Sequence, residues 1–309
     1  MRLGEGGTPE EILALAREAT TILIIAAWLP AAVIAGLPAL CHIARIGTGT
    51  DKIAVEDATR RGIVVTNVPD FSTEEVADHT LALLLGAVRQ IPHFSAAVSR
   101  GRRELDGRIL HRLASRTVAL VGFGSIGRAV ARRLSGFGPR LLAVDPRLDA
   151  ATAQATGVEM ARLDAALNEA DIVVLLCPLL PTTRKMFDAK RLGAMKPGAI
   201  LVNTARGELV DEIALAQALH EGRIGYAAID VFGDTDVFAA DGYATSHPIF
   251  RAPNTLLTPH VAAHSAESME DCHRRSIAAV ADVLAGSWPR HLVNPEVLPR
   301  VALSREAQS

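Results

Sequence analysis

The sequence predicts an α/β protein of two lobes, the larger one a doubly wound parallel sheet. Three observations carry that prediction. Short runs rich in Val, Ile and Leu alternate with longer helical stretches along most of the chain, which is the pattern of parallel strands joined by crossover helices. A Gly-x-Gly-x-x-Gly string at Gly122, Gly124 and Gly127 follows one such run and opens a helix. The chain has 309 residues, and a domain takes roughly 100–200 of them.

The elements follow in order. Residues 9–19 form an acidic, amphipathic lead-in. Residues 21–40 carry no charge and are long enough to span a bilayer, but Pro30, Gly36 and Pro38 interrupt them, and the acidic lead-in stands where a signal peptide would carry positive charge. They parse instead as a buried strand at 22–26, a turn at 28–30 and a short apolar helix, before a second strand at 42–46. A third strand at 63–65 completes a smaller, flavodoxin-like unit, and a helical stretch at 74–90 leads out of it. Strands at 117–121, 141–144, 172–177, 199–203, 227–231 and 255–258 then alternate with helices at 125–137, 162–170 and 208–221. Six strands in this stretch fit one doubly wound sheet. Residues 264–285 read as a long helix with Ser265 as N-cap and Gly286 as stop. Because the sheet is complete at 258, this helix is assigned back to the first lobe. The expected domains are therefore 1–91 with 260–309, and 92–259, with ligands in the cleft between them.

Composition narrows the class. Lys and Arg number 32 against 34 Asp and Glu, a net charge of −2 without basic runs, so nucleic acid is not expected as a partner. The three cysteines, Cys41, Cys177 and Cys272, lie far apart and outside any CxxC. That argues against a disulfide framework and a cysteine-based zinc site; no metal is expected, and a reducing, cytoplasmic compartment is.

The glycine string points to a dinucleotide. Gly122 permits a tight turn, Gly124 lets backbone approach a pyrophosphate, and Gly127 lets helix and strand pack closely. The N-terminal turn of the following helix, at Ser125, Ile126 and Gly127, offers N–H groups and a positive dipole end to phosphates. The next strand ends in Asp145, about twenty residues on, where a carboxylate accepts ribose hydroxyls and repels a 2′-phosphate, favouring NAD over NADP. Arg147, close by, works against that preference; a surface Asp closing a strand is the plain alternative.

A nicotinamide site needs groups that hold substrate and move a proton. Three candidates lie at strand ends: Arg206 after 199–203, Asp230 at the end of 227–231, and His260 after 255–258. Each alone has a structural alternative, as a turn cap, a helix cap or a buried hydrogen-bonded histidine.

Together with IARIGTGTDKIAV, EVADHTLALLLG, ALVGFGSIGRAVARRL, MKPGAILVNTARGELVDE, GYAAIDVF and PNTLLTPHVAAHS, these residues resemble the D-isomer-specific 2-hydroxyacid dehydrogenases, nearest the branch of the C-terminal-binding proteins and phosphoglycerate dehydrogenase-like enzymes. The resemblance implies that Arg206 binds the substrate carboxylate and carbonyl oxygen. It makes His260 the proton donor for ketoacid reduction and the base for hydroxyacid oxidation, and hydrogen-bonds Asp230 to the nicotinamide carboxamide. It puts the N–H groups of Thr48 and Gly49, with Arg45, on the substrate. Cys177, Pro178 and Thr183 are implied on the adenine or ribose side, and Thr204 and Ala205 on the nicotinamide side. It also implies NAD as cofactor, a small 2-ketoacid or 2-hydroxyacid as substrate, and a homodimer pairing through the cofactor lobe.

Departures from the family pattern are equally legible. The family string D-V-F-x-x-E-P places a Glu beside the catalytic His, raising its pKa; here that slot holds Thr235, no Pro follows, and the run on to His247 is longer. Asp234 or Asp236 is a candidate substitute; solvated loop charges are the alternative. The family carries a further strand–helix unit ahead of Thr8, so the smaller lobe is expected without its first strand. Ala263 and His264 stand where the C-terminal-binding branch carries Trp-Tyr, so substrate choice does not transfer from that branch. Competing functions are an NAD(H)-sensing binding protein with weak catalysis, favoured by Thr235, and a phosphite dehydrogenase, suggested by Asp236.

Overall fold

The computed structural model describes residues 4, 7–103, 105, 110–235, 237 and 245–304. They divide into two compact units, Met1–Phe71 with Ser265–Ser309, and Ser72–His264.

The first unit begins with α1 (Pro9–Ala16). Thr8 and Glu11 cap it reciprocally, each side chain accepting the other's N–H at 3.2 and 3.0 Å, which satisfies two donors that a helix start otherwise leaves orphaned. β1 (Thr21–Ile24), α2 (Ala31–Ala35), β2 (His42–Arg45), α3 (Val55–Arg60) and β3 (Val64–Thr66) follow. The strands form a parallel sheet in the order β1-β2-β3. The uncharged stretch thus becomes a strand, a turn and a short helix, with Leu29, Val33, Ile34, Leu37 and Leu40 buried in the core. No single described helix is long and apolar enough to cross a membrane. His42 is fully buried with Nε2 2.9 Å from Thr66 Oγ1, and burial pushes its pKa down to about 4.

The second unit opens with α4 (Thr73–Val88) and α5 (Ile91–Ser99). There follow β4 (Thr117–Val121), α6 (Ser125–Ser135), β5 (Arg140–Val144), α7 (Ala150–Thr156), β6 (Glu159–Met160), α8 (Leu163–Glu169), β7 (Ile172–Leu175), α9 (Ala189–Ala194), β8 (Ala199–Asn203), α10 (Glu212–His220), β9 (Ile224–Ile229) and β10 (Thr255–Leu257). All seven strands are parallel, in the order β10-β9-β8-β7-β4-β5-β6. Alternate residues feed two cores: Ala119, Val121, Leu175 and Leu201 one, Val118, Leu120, Val174 and Val202 the other. A sheet covered on both faces therefore reads as continuous apolar runs. The strand order reverses between β4 and β7, and ligands of such sheets bind beyond the carboxyl ends at that reversal.

Three expectations are corrected. The sheet has seven strands rather than six; β6 is two exposed residues, without an apolar signature to read. α10 starts at Glu212 rather than 208, because Asp211 accepts the N–H of Ala214 at 3.1 Å as N-cap while Gly207–Leu209 makes a separate 3₁₀ turn. The units divide at Phe71/Ser72 and His264/Ser265 rather than at 91/92 and 259/260. The cause at the first boundary is α4, whose apolar face packs on α6 and on β8, β9 and β10.

The chain returns to the first unit through α11 (Ala266–Leu284), which packs on β2. Ser265 caps it by accepting the N–H of Ser268 at 2.9 Å, and Gly286 ends it at φ +77. Beyond it, fully buried Asn294 accepts the N–H of Val65 and donates to Ile63 O and Thr59 Oγ1, each at 2.9 Å.

Candidate active site

At the reversal point the first glycine does more than turn the chain. Gly122 has φ +100, and a Cβ there would meet Cys177 N at 2.5 Å, so the turns after β4 and β7 touch through backbone. A Cβ on Gly127 would meet Gly122 O at 2.5 Å, whereas one on Gly124 would meet open space. The middle glycine is thus the one not needed for packing. It is also the N-cap of α6 and supplies no side-chain cap, so the half-buried start of the helix at Ser125 and Ile126 keeps its character as an anion site. These features fit a pyrophosphate.

Asp145 closes the turn. Its Oδ2 accepts the N–H of Phe123 and its Oδ1 that of Arg147, both at 2.9 Å. Burial pushes its pKa up, but these hydrogen bonds and the Arg147 guanidinium 3.7 Å away outweigh it, leaving the carboxyl below its ordinary value. Burial raises the Cys177 thiol to about 11. Thr183 Oγ1 donates to Pro178 O and accepts the N–H of Leu180, both at 2.8 Å, shaping the turn after Cys177.

On the other side of the reversal, buried Asn203 ends β8 and organises the loop of Arg206. Its Oδ1 accepts the N–H of Ala205 at 3.1 Å and its Nδ2 donates to Arg206 O at 2.9 Å. Arg206 Nη1 donates to Ala205 O at 2.7 Å. Thr204 Oγ1 lies 2.7 Å from Thr80 Oγ1 on α4. A Cβ on Gly207 would overlap Phe232 and Gly233 backbone at 2.1 Å, so the Arg206 loop rests directly on the loop that follows Asp230.

Asp230 is fully buried, and its carboxylate grips the chain around His260. Oδ1 accepts from Thr258 Oγ1 at 2.5 Å and from Val261 N at 3.0 Å; Oδ2 accepts from Ala262 N at 3.0 Å. The Asp230 carbonyl accepts His260 N–H at 2.7 Å. His79, on α4, sets Nε2 3.4 Å from Oδ1 and 3.1 Å from Thr258 Oγ1. Burial pushes the Asp230 pKa up, yet the hydrogen bonds from His79, Thr258 and the two amides outweigh it and hold the carboxyl below its usual value. His260 itself adopts φ +57, a left-handed conformation uncommon for a side-chain-bearing residue and frequent at functional sites.

The carboxylate candidates diverge. Asp234 is directed at a different histidine, its Oδ2 3.9 Å from His247 Nε2. Thr235 is half-buried. Asp236 lies outside the described residues. In the first unit, Arg45 Nε donates to Gly49 O at 3.0 Å, and Thr48 Oγ1 donates to Val68 O at 3.0 Å, so those residues order the loop after β2. Asn203 and Thr258 carry no motif signal of their own in the sequence; for His79 the signal is a histidine inside the apolar run ADHTLALLL.

A glycine turn at a strand-order reversal, backed by ordered loops at the next strand ends, defines a dinucleotide-binding oxidoreductase-type fold. Residues 81–262 match the family model of the D-isomer specific 2-hydroxyacid dehydrogenase, NAD binding domain, and the chain belongs to that family. It is 38% identical over 268 residues to a glyoxylate reductase of Pyrococcus furiosus, covering 84% of this chain and 78% of the relative. It is 35% identical over 314 residues to a D-3-phosphoglycerate dehydrogenase of Mycobacterium tuberculosis, covering 99% of this chain but spanning 58% of that protein's length. The crystal structure of D-lactate dehydrogenase from Aquifex aeolicus, complexed with NAD and lactic acid, superposes with a TM-score of 0.83 at 28% identity, covering 89% of this chain and 85% of that one.

Proposed function

We propose that the chain is an NAD-dependent oxidoreductase that interconverts a 2-ketoacid and a D-2-hydroxyacid. The observation that carries this reading is the pairing of supports: Asn203 fixes the Arg206 loop, and Asp230 fixes the His260 loop. A bound nicotinamide supplies or accepts the hydride. Arg206 holds the substrate carboxylate, since its planar fork matches two carboxylate oxygens. His260 delivers the proton to the carbonyl oxygen in reduction and removes it in oxidation. The N–H groups of Thr48 and Gly49 and the side chain of Arg45 are assigned to the substrate, and Thr204 and Ala205 to the nicotinamide. Ser125, Ile126 and Gly127 are assigned to the pyrophosphate, Asp145 to the adenine ribose, and Cys177, Pro178 and Thr183 to its surroundings. Asp230 is assigned to the carboxamide in addition to its loop contacts.

The chain is further proposed to act in the cytoplasm as a homodimer. Ile91 and Val98 on α5 are 58% and 71% exposed, and Ala82, Leu85, Ile91, Pro92 and Leu256 line an apolar groove beside them; a second copy would cover this surface. Light scattering at micromolar concentration tests it, and a monomeric mass rejects it.

The test of function is NADH oxidation over a panel of 2-ketoacids, with oxidation of 2-hydroxyacids and of phosphite by NAD run alongside. Turnover of a ketoacid, abolished in His260→Asn with NADH binding retained, supports the reading. Full ketoacid reduction by His260→Asn overturns the proton assignment. NADH binding without turnover of any panel member favours the second reading, an NAD(H)-sensing protein, for which Thr235 in the place of the family's Glu speaks.

A further inference from the structure

Glu212, Asp234 and His247 converge from three separate segments of the second unit. Glu212 opens α10, Asp234 lies on the loop after β9, and His247 caps the 3₁₀ turn Pro248–Arg251. One ligand atom from each lies within 4.8 Å of the other two. Glu212 Oε1 accepts the N–H of Gly233 at 2.7 Å, but Oε2 has no hydrogen-bond partner among the described residues, although the side chain is only 3% exposed. Oε2 is aimed into the group, 4.0 Å from His247 Nδ1. His247 Nε2 is also buried and unpartnered; it lies 3.9 Å from Asp234 Oδ2, while Nδ1 faces the N–H of Ile249 at 3.4 Å.

A buried carboxylate oxygen without a donor costs several kcal/mol unless something compensates it. Two carboxyl groups crowd one imidazole, Glu212 on the Nδ1 side and Asp234 on the Nε2 side. A divalent cation resolves both problems at once.

We propose that Glu212, Asp234 and His247 form a binding site for a divalent transition-metal ion, with zinc the best chemical match. One imidazole and two carboxylates, with a fourth position for water, are ordinary zinc donors. Zinc bonds of about 2.0–2.2 Å require the ligand atoms to draw in from their present separations. Asp234, exposed on its loop, can make most of that movement. The ion would pin the loop after β9 to the start of α10, a structural role distinct from proton transfer at His260. Cysteine spacing, the basis for expecting no metal, does not bear on a site without thiolates.

The test uses the whole chain after chelator treatment, titrated calorimetrically with zinc chloride, and with cobalt chloride followed by visible absorption. The expected result is saturable binding of one ion per chain with a micromolar or tighter Kd, and cobalt bands typical of a four-coordinate nitrogen–oxygen site. Asp234→Asn and His247→Gln should each weaken zinc at least tenfold. Because Asp234 is exposed, Asp234→Asn should keep the apo chain's Tm and circular dichroism, which separates lost ligation from lost folding. Absence of saturable binding, or equal affinity in the Asp234→Asn variant, overturns the proposal. None of these readouts depends on enzyme activity, so they stand or fall separately from the proposed reaction.

Discussion

His79 holds its Nε2 3.4 Å from the Oδ1 of Asp230, behind the strand end that carries His260. The same nitrogen lies 3.1 Å from Thr258 Oγ1, which in turn donates to Asp230. The catalytic candidate is thus held by a buried carboxylate whose ionised form rests on hydrogen bonds from side chains and amides. Removing one such partner leaves a buried charge under-compensated. His79→Leu is expected to cost about 1–3 kcal/mol of stability and to lower turnover at least about tenfold, with His79→Gln intermediate. Urea unfolding and steady-state kinetics check this; a His79→Leu variant with unchanged kcat removes the positioning role.

The two outer demands on the glycine turn separate cleanly. Gly122→Ala should fail to fold or lose more than about 2 kcal/mol, because its Cβ meets Cys177 backbone at 2.5 Å and its positive φ strains any side chain. Gly124→Ala should keep the Tm and weaken NADH at least about tenfold, or ~1.4 kcal/mol, since the space its Cβ enters is free of protein. Thermal unfolding and NADH fluorescence titration distinguish the two; unaltered NADH affinity in Gly124→Ala argues against pyrophosphate at that position.

Asp145 should make NADH preferred over NADPH by at least about tenfold in kcat/KM, or ~1.4 kcal/mol. Because its carboxylate also accepts the Phe123 and Arg147 N–H groups, Asp145→Ala should both narrow that preference and destabilise the turn by about 1 kcal/mol. Equal efficiency with both coenzymes in the unmodified chain counts against the assignment and points to Arg147, 80% exposed, as a phosphate partner.

Thr235 cannot supply the charge that favours an imidazolium. On the proposed reading, in which position 235 takes the place of the family's Glu beside His260, Thr235→Glu should shift the falling limb of the pH–rate profile for ketoacid reduction upward, because a carboxylate there keeps the imidazole protonated to higher pH. If Asp236 already serves, Thr235→Glu should leave the limb in place and Asp236→Asn should shift it downward.

In the first unit His42 carries a pH dependence of known sign. Its pKa is lowered in the folded chain to about 4, so the stability it permits is full above the unfolded value near 6.5 and declines as pH falls toward 4. The loss at pH 5 comes to roughly 2 kcal/mol on that shift. His42→Leu should abolish this part of the decline, so the variant gains relative to the unmodified chain between pH 7.5 and pH 5. Denaturant midpoints at the two pH values check it; parallel behaviour of both chains rejects the buried neutral histidine.

The parts legible in the sequence were those with a local signature. β4, the glycine string and α6 declare themselves because an apolar run, three glycines and a helix N-terminus must be consecutive. Ser265 and Gly286 marked α11 by the ordinary chemistry of caps. β6 was invisible because it is two exposed residues, Glu159 and Met160, without an apolar run; backbone pairing and the Arg140–Glu159 ion pair hold it to β5. The supports of the site were hidden for other reasons: His79 and Asp230 meet only through tertiary geometry, while Asn203 bonds residues two and three positions on in a turn without helix or strand periodicity. Asp234 stands next to the family's Glu slot in the motif, which makes it a candidate neighbour of His260, but the path of the loop directs it to His247 instead.

The first unit is assembled from the two ends of the chain, with α11 on β2 and Asn294 pinned to β3, while the second unit is one continuous segment. During synthesis the segment from Ser72 to His264 can reach its final form while the strands made before it still lack their covering helix. Those early strands must wait for residues translated after the second unit, leaving the apolar face of β2 and the Val65 amide exposed meanwhile. Vectorial synthesis leads the domain made earlier to fold first, but the interleaved order here reverses that sequence, so the strands ahead of Ser72 are the ones most in need of protection from aggregation and from proteases on the ribosome.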